Sequence, residues 1–286
     1  MNISQYQHNY TSSIYATIYS SASIAALILS TAGLSVNIFL LYILVNDRNF
    51  RKTTYYLFLV SIVSDTISTI ATIGGYIQIV RYELAYEGGT LMCRAVMFTM
   101  FSSYSISIMT FCLIGIDRYF IIVRPLTTTY RIYKNHILIT SEIAIWICSL
   151  SVSAPLLKFM GVHRVDPLLC EFTKITTPVS IYIITFVTIQ FIIPAMTIGL
   201  FYWRIIIHQK NYIKPGELTQ QSIIEQQLRK RKFIKMLISI SLSYIFATWP
   251  FFATILGFAI TQKSVLQIRS ENIVIFLFIF FNISND

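Results

Sequence analysis

Apolar positions in this chain come in long, almost unbroken runs, not in the alternation of a strand or the narrow stripe of a water-facing helix. Seven such runs lie at roughly 20–45, 54–80, 91–122, 136–158, 177–207, 232–260 and 272–286. A bilayer-crossing helix needs about 20 mostly apolar residues. The links are short, apart from about 25 residues between the fifth and sixth runs. The pattern predicts an all-α membrane protein, a seven-transmembrane helix bundle over 20–286 behind a tail over 1–19. There is no room for a separate soluble domain, and the lack of an internal repeat argues against an inverted-repeat transporter. The seventh run is short. Ile273 to Asp286 makes about 21 Å of helix against a hydrocarbon core of about 30 Å, so the seventh helix is expected to be truncated. Pro155, Pro194 and Pro250 interrupt spans four, five and six. Each frees a carbonyl and bends its helix, and such bends can serve as hinges.

Composition and charge give the bundle an orientation. Of the 286 residues, 55% are hydrophobic and only 12% charged, against about 25% charged in a soluble domain. Aromatics at 15% rule out disorder as well. The net charge is +10, but its distribution says more than its sum. Fifteen of the 22 Lys and Arg fall at the first, third and fifth links, and 7 on the other side. The richer side should be cytoplasmic, which leaves the N-terminus outside. Sequons at Asn2 and Asn9 agree with an exposed tail, whereas the one at Asn282 lies in a span. No cleavable signal is expected, and the first span serves as its own anchor. The run Arg229-Lys230-Arg231-Lys232 reads either as a headgroup anchor on the anionic inner leaflet or as part of a helix extension that meets a cytoplasmic partner.

Several residues are costly where they stand. Asp65 lies about 20 Å of helix from Lys52 and about 24 Å from Arg81, near mid-membrane. A carboxylate there costs several kcal/mol unless neutral, paired or hydrated. It is either an ion or proton site or a protonated acid bonded to another helix. Asp117-Arg118-Tyr119 ends the third span on the cytoplasmic side, where a snorkelling boundary pair is common. Cys93 opens the third span and Cys170 lies in the following outer link. Both face the oxidising side, where they can form a disulfide. Cys112 is about 28 Å below Cys93 and out of its reach. Cys112 and Cys148 read as small buried apolar residues. His8, His136, His163 and His208 are scattered without metal-ligand spacing. Phosphate-binding glycine loops, His-Glu-x-x-His and Gly-x-Ser-x-Gly are missing, which points away from an enzyme.

In order along the chain, these features resemble the rhodopsin-like (class A) G-protein-coupled receptors. The strongest piece is Asp117-Arg118-Tyr119-Phe120-Ile121-Ile122-Val123-Arg124-Pro125-Leu126, similar to the family signature at the inner end of helix three. Cys93 stands 25 residues before Arg118, the family's spacing for its disulfide cysteine. Asn37, Asp65, Trp146, and Pro194 with Tyr202 match the marker residues of helices one, two, four and five. The departures are local. Helix six reads Ala247-Thr248-Trp249-Pro250 where the family has Cys-Trp-x-Pro, which turns the tryptophan about 100° around the helix and puts Thr248 at the switch position. Tyr244 replaces a phenylalanine, and Lys230 stands where some members carry an acid that pairs with the helix-three arginine. Phe281-Asn282-Ile283-Ser284-Asn285-Asp286 looks like the lead-in to the helix-seven motif.

The resemblance implies a plasma-membrane receptor, with its N-terminus outside, that activates a heterotrimeric G protein and meets arrestin, with membrane lipids around it and no nucleic acid. It implies a disulfide Cys93–Cys170 and an activation switch of Asp117, Arg118, Tyr119 and Tyr202. An allosteric Na+ pocket would use Asp65, Ser107 and Asn282, joined by Asp286. No other cofactor or metal is implied. Ile108, Pro194, Tyr244, Thr248, Trp249 and Pro250 would form the packing switch. Met100, Phe101, Tyr104, Phe186, Gln190, Phe251, Phe252, Ile255 and Phe276 would line the ligand cavity. Met100 stands where amine receptors carry a carboxylate, which disfavours an amine ligand. A peptide is favoured, with a lipid or other apolar small molecule next. The competing classes are an ion- or proton-coupled transporter or channel built on Asp65 and a non-signalling receptor fragment.

Overall fold

The computed structural model describes residues 3–46, 53–81, 86–123, 128–162, 170–211 and 221–262. The seventh apolar run, with Phe276, Asn282 and Asp286, lies outside the described residues, as do Asn2 and the side chain of Asn9. Helices α1 (Ile3–Asn46), α2 (Thr53–Arg81), α3 (Tyr86–Ile122) and α4 (Thr128–Ser153) come first, followed by a short α5 (Leu156–Phe159). Two strands follow, β1 (Met160–Val162) and β2 (Cys170–Phe172). Helix α6 (Thr177–Val187) runs through a π turn at Thr188–Ile192 into α7 (Ile193–Asn211), and α8 (Gln221–Thr261) completes the described chain. Six helical stretches among the described residues are long and apolar enough to cross a membrane, and they correspond to the first six predicted spans. Helix α1 reaches back to Ile3, so helix extends into the stretch read as a tail.

Helix α3 is the hub, packed against α2, α4, α7, α8, α5 and β1. From Phe101 to Ile108 every residue of it is buried. Four of those eight are serines, and small side chains let neighbouring helices approach closely where lipid supplies no hydrophobic drive between them. Threonine hydroxyls elsewhere bond back to the carbonyl four residues earlier, as Thr66 does to Ile62 at 2.6 Å and Thr254 to Pro250 at 2.8 Å. A polar group so satisfied can sit in an apolar span. The bundle turns its apolar side chains outward. Ile139, Ile143 and Ile147, four residues apart on one face of α4, are 53%, 56% and 60% exposed, as expected of a face solvated by lipid.

Each intramembrane proline acts differently. Helix α4 ends at Ser153, and Pro155 opens the next turn as the N-cap of α5, so Pro155 stops its helix where a bend through it was expected. Pro194 follows directly on the π turn. A proline ring crowds the carbonyl four residues before it, here Gln190, and a wider turn relieves that crowding. Pro250 lies inside the continuous α8.

The strands add one element to the helical plan. β1 and β2 pair antiparallel with Met160 opposite Phe172, Gly161 opposite Glu171 and Val162 opposite Cys170. Arg94 on α3 donates its Nε–H to the Met160 carbonyl at 3.0 Å. A side chain at Gly161 would put its Cβ 2.8 Å from Thr173 Cγ2, so Thr173 would have to shift to admit one. Two buried clusters fill the bundle. One, under the hairpin, is centred on Phe101, Phe186, Phe251 and Phe252, and the other, toward the far end of α3, on Ile114, Ile205, Leu237 and Tyr202. Tyr244 packs against both.

Candidate functional site

At the hairpin end, Cys93 and Cys170 form a disulfide with Cα atoms 5.5 Å apart. It pins β2 over the first turns of α3 and closes a loop 77 residues apart in sequence. Beneath it is a cavity of about 20 Å³ lined by Met97, Phe101, Met160, Cys170, Glu171, Phe172, Ile175, Phe251, Ile255 and Phe258, room for about one water. Of the expected cavity residues, Phe101, Phe251 and Ile255 line it. Tyr104, Phe186 and Phe252 are buried in the same cluster, and Met100 is half-buried against it. These rings pack on one another: Phe101 lies 5.2 Å from Phe186 and 5.3 Å from Phe251, and Phe191 stacks 4.7 Å from Phe252. Such spacings are those of favourable aromatic pairs, and they leave little room between the rings. The hairpin brings an acid, Glu171, into the wall of the cavity.

Deeper in, the serines of α3 divide between two faces. Ser103 and Ser107, one turn apart, donate to Asp65 Oδ1 on α2 at 2.9 and 2.7 Å, and Ser61 donates to Ser107 at 2.9 Å. On the other face, Ser105 lies 2.7 Å from the Ser149 hydroxyl of α4 and bonds to Gln190 Oε1 in the π turn. Gln190, expected in the ligand cavity, is buried in this clasp joining α3, α4 and the fifth span. One turn further along α3, Thr110 bonds both carboxyl oxygens of Glu142, at 3.0 and 3.2 Å, while lying 2.7 Å from the Ile106 carbonyl. The Trp146 side chain hydrogen-bonds the same carboxyl.

In α8, Thr248 is buried and donates to the Tyr244 carbonyl at 2.9 Å, whereas Trp249 is 52% exposed. The one-residue offset has therefore turned the indole outward. The Tyr244 hydroxyl reaches the Tyr104 carbonyl at 3.4 Å, and its ring lies 5.3 Å from Phe111. Ile108 and Pro194 are buried, and Pro250 is half-buried.

At the far end of α3, Asp117 is buried. Arg118 Nη2 lies 3.7 Å from Asp117 Oδ2, and Lys134 of α4 lies 2.8 Å from Oδ1. Tyr119 packs edge-on against Phe201 at 5.0 Å. Tyr202 is buried beside Gly115, its hydroxyl 3.2 Å from Ser241 of α8.

The sequence reading passed over Ser103, Lys134, Glu142 and Glu171. Glu142 had a signal: it stands in the fourth apolar run, where the cost that marked Asp65 also applies. Ser103 had one too, a full turn from Ser107. Lys134 and Glu171 had none, since each gains its place through a contact distant in sequence. The two remaining cysteines differ from expectation. Cys112 is half-buried and Cys148 is exposed, because Cys148 falls on the lipid-facing side of α4, where a small apolar thiol needs no burial.

Comparison with known proteins gives this arrangement a context. A QRFP-like peptide receptor of Branchiostoma floridae is 27% identical over 223 residues, covering 74% of this chain and 58% of that protein. Tachykinin-like peptides receptor 99D of Drosophila melanogaster is 25% identical over 237 residues, covering 78% and 44%. Galanin receptor 2a of Danio rerio is 27% identical over 175 residues, covering 59% and 45%. The chain thus spans about half the length of these relatives. Residues 36–285 match the family described as 7 transmembrane receptor (rhodopsin family). With that match over most of its length and the disulfide, the helices and the Asp117-Arg118-Tyr119 motif in order, the chain belongs to the rhodopsin family of seven-transmembrane receptors.

Proposed function

We propose that this protein is a plasma-membrane receptor, N-terminus outside, that converts binding of an extracellular peptide into activation of a heterotrimeric G protein. The peptide ligand is supported by the three relatives, each named for a peptide. The aromatic space beneath the hairpin is the site for it, and it has to widen to admit side chains. The disulfide holds the hairpin as the lid over that space. One observation carries the signalling half of the proposal. Arg118 lies near the C-terminal end of α3, the end this reading puts in the cytoplasm, beside the buried Asp117, with the buried Tyr202 one helix away. A charge at the end of a span lies within reach of a cytoplasmic partner. Ligand and G protein favour the same outward swing of α8, so each tightens binding of the other. Arrestin is expected to engage the same end.

The test is Arg118→Ala in the full-length receptor. The variant should reach the cell surface at wild-type levels and lose G-protein activation, read as nucleotide exchange in membranes challenged with a neuropeptide panel. Unchanged exchange from the variant would sink the assignment. A response to a lipid with none to any peptide would reverse the order of ligand classes.

A further inference from the structure

The hairpin has two edges, and they differ. Thr173 donates its N–H to the Phe159 carbonyl at 3.3 Å, one residue beyond the strands. In an antiparallel pair, hydrogen-bonded residue pairs alternate with non-bonded ones. Gly161 opposite Glu171 is therefore the bonded pair, and Met160 opposite Phe172 and Val162 opposite Cys170 are not. The backbone groups of those four residues point away from the ladder. On the β1 edge the Met160 carbonyl accepts the Arg94 Nε–H at 3.0 Å, so α3 engages that side. On the β2 edge the N–H and C=O of Cys170 and Phe172 make no hydrogen bond among the described residues. An open strand edge is a template for another strand. The disulfide fixes this one beside the cavity, whose wall includes all three residues of β2. Met160, Val162 and Phe172 are buried in the cluster with Phe101 and Phe251, so the inner face of the hairpin is apolar.

We propose that an extended peptide binds along the β2 edge as a third strand of this sheet. Its backbone bonds to Cys170 and Phe172, and every second residue turns an apolar side chain to the inner face. The main-chain bonds supply affinity and the inner face supplies selectivity. The proposal rests on the peptide-receptor function given above and adds to it the conformation and patterning of the peptide.

The probes are the linear peptides of the neuropeptide panel, applied to the full-length receptor in lipid nanodiscs. Each peptide that stimulates nucleotide exchange is remade with one amide N-methylated at a time. Losing a donor to β2 should cost about tenfold in potency. Within one short segment that loss should fall at alternate positions, since alternate amides of a strand face the same neighbour. Hydrogen exchange read at single amides gives the receptor side. The bound peptide should slow Cys170 and Phe172 about tenfold and leave Glu171, already bonded to Gly161, unchanged. N-methyl losses at consecutive positions or at none, or equal slowing of all three amides, overturns the added strand and leaves the receptor function standing. If no peptide of the panel stimulates exchange, the peptide-receptor function itself fails, and the proposal with it.

Discussion

Asp65 and Glu142 show how a single ionisable side chain is accommodated in a span. Asp65 takes two serine hydroxyls on one oxygen, Oδ1. A sodium ion bound there should raise the melting temperature in NaCl over equal KCl, since a ligand held by the folded state alone stabilises it. Asp65→Asn should remove the difference, and an equal rise in the variant would refute the site. Glu142 depends on neutral partners, so its hydrogen bonds should matter more than its charge. Glu142→Gln keeps an acceptor for Thr110 and Trp146 and should be nearly neutral. Thr110→Val leaves the carboxyl short of a partner and should cost about 1–3 kcal/mol. Thermal unfolding in detergent distinguishes them, and an equal loss from both would mean that the charge itself is needed. Asp65 was legible in the sequence from cost alone, but its partners were not, because a cost argument says that a partner exists without saying which helix supplies it.

Among the elements, the hairpin is held to α3 by the disulfide and by Arg94. Losing a disulfide from a loop of this size costs about 2–4 kcal/mol. Cys93→Ser and Cys170→Ser should each lower thermal stability and surface yield by the same amount, with the double variant no worse than either. A double variant clearly below both singles would mean that the cysteines act separately. The first six spans were legible because lipid demands about 20 apolar residues in a row. The π turn and the two strands were not. Five residues of π helix and strands of three carry no periodicity of their own. One follows from the crowding at Pro194 and the other from a covalent bond to a distant helix.

For the whole molecule, orientation is a prediction of charge counting. With the 15-rich side in the cytoplasm, Asn2 and Asn9 face the secretory lumen during synthesis. Full-length receptor from cells should lose mass on enzymatic deglycosylation, and Asn2→Gln with Asn9→Gln should abolish that shift. An N-terminal epitope reached by antibody only after permeabilisation would reverse the orientation. By itself the sequence determined the class of fold, the number of described spans, the disulfide pair and the family, since these depend on composition, local runs and residue order. Only the tertiary structure decided that Lys134 meets Asp117, that Gln190 is tied to Ser105, that Trp249 turns to the lipid side and that Glu171 lines the aromatic cavity. Those outcomes depend on which faces of separate helices meet, and a linear pattern fixes the face of each helix more firmly than the partner it finds.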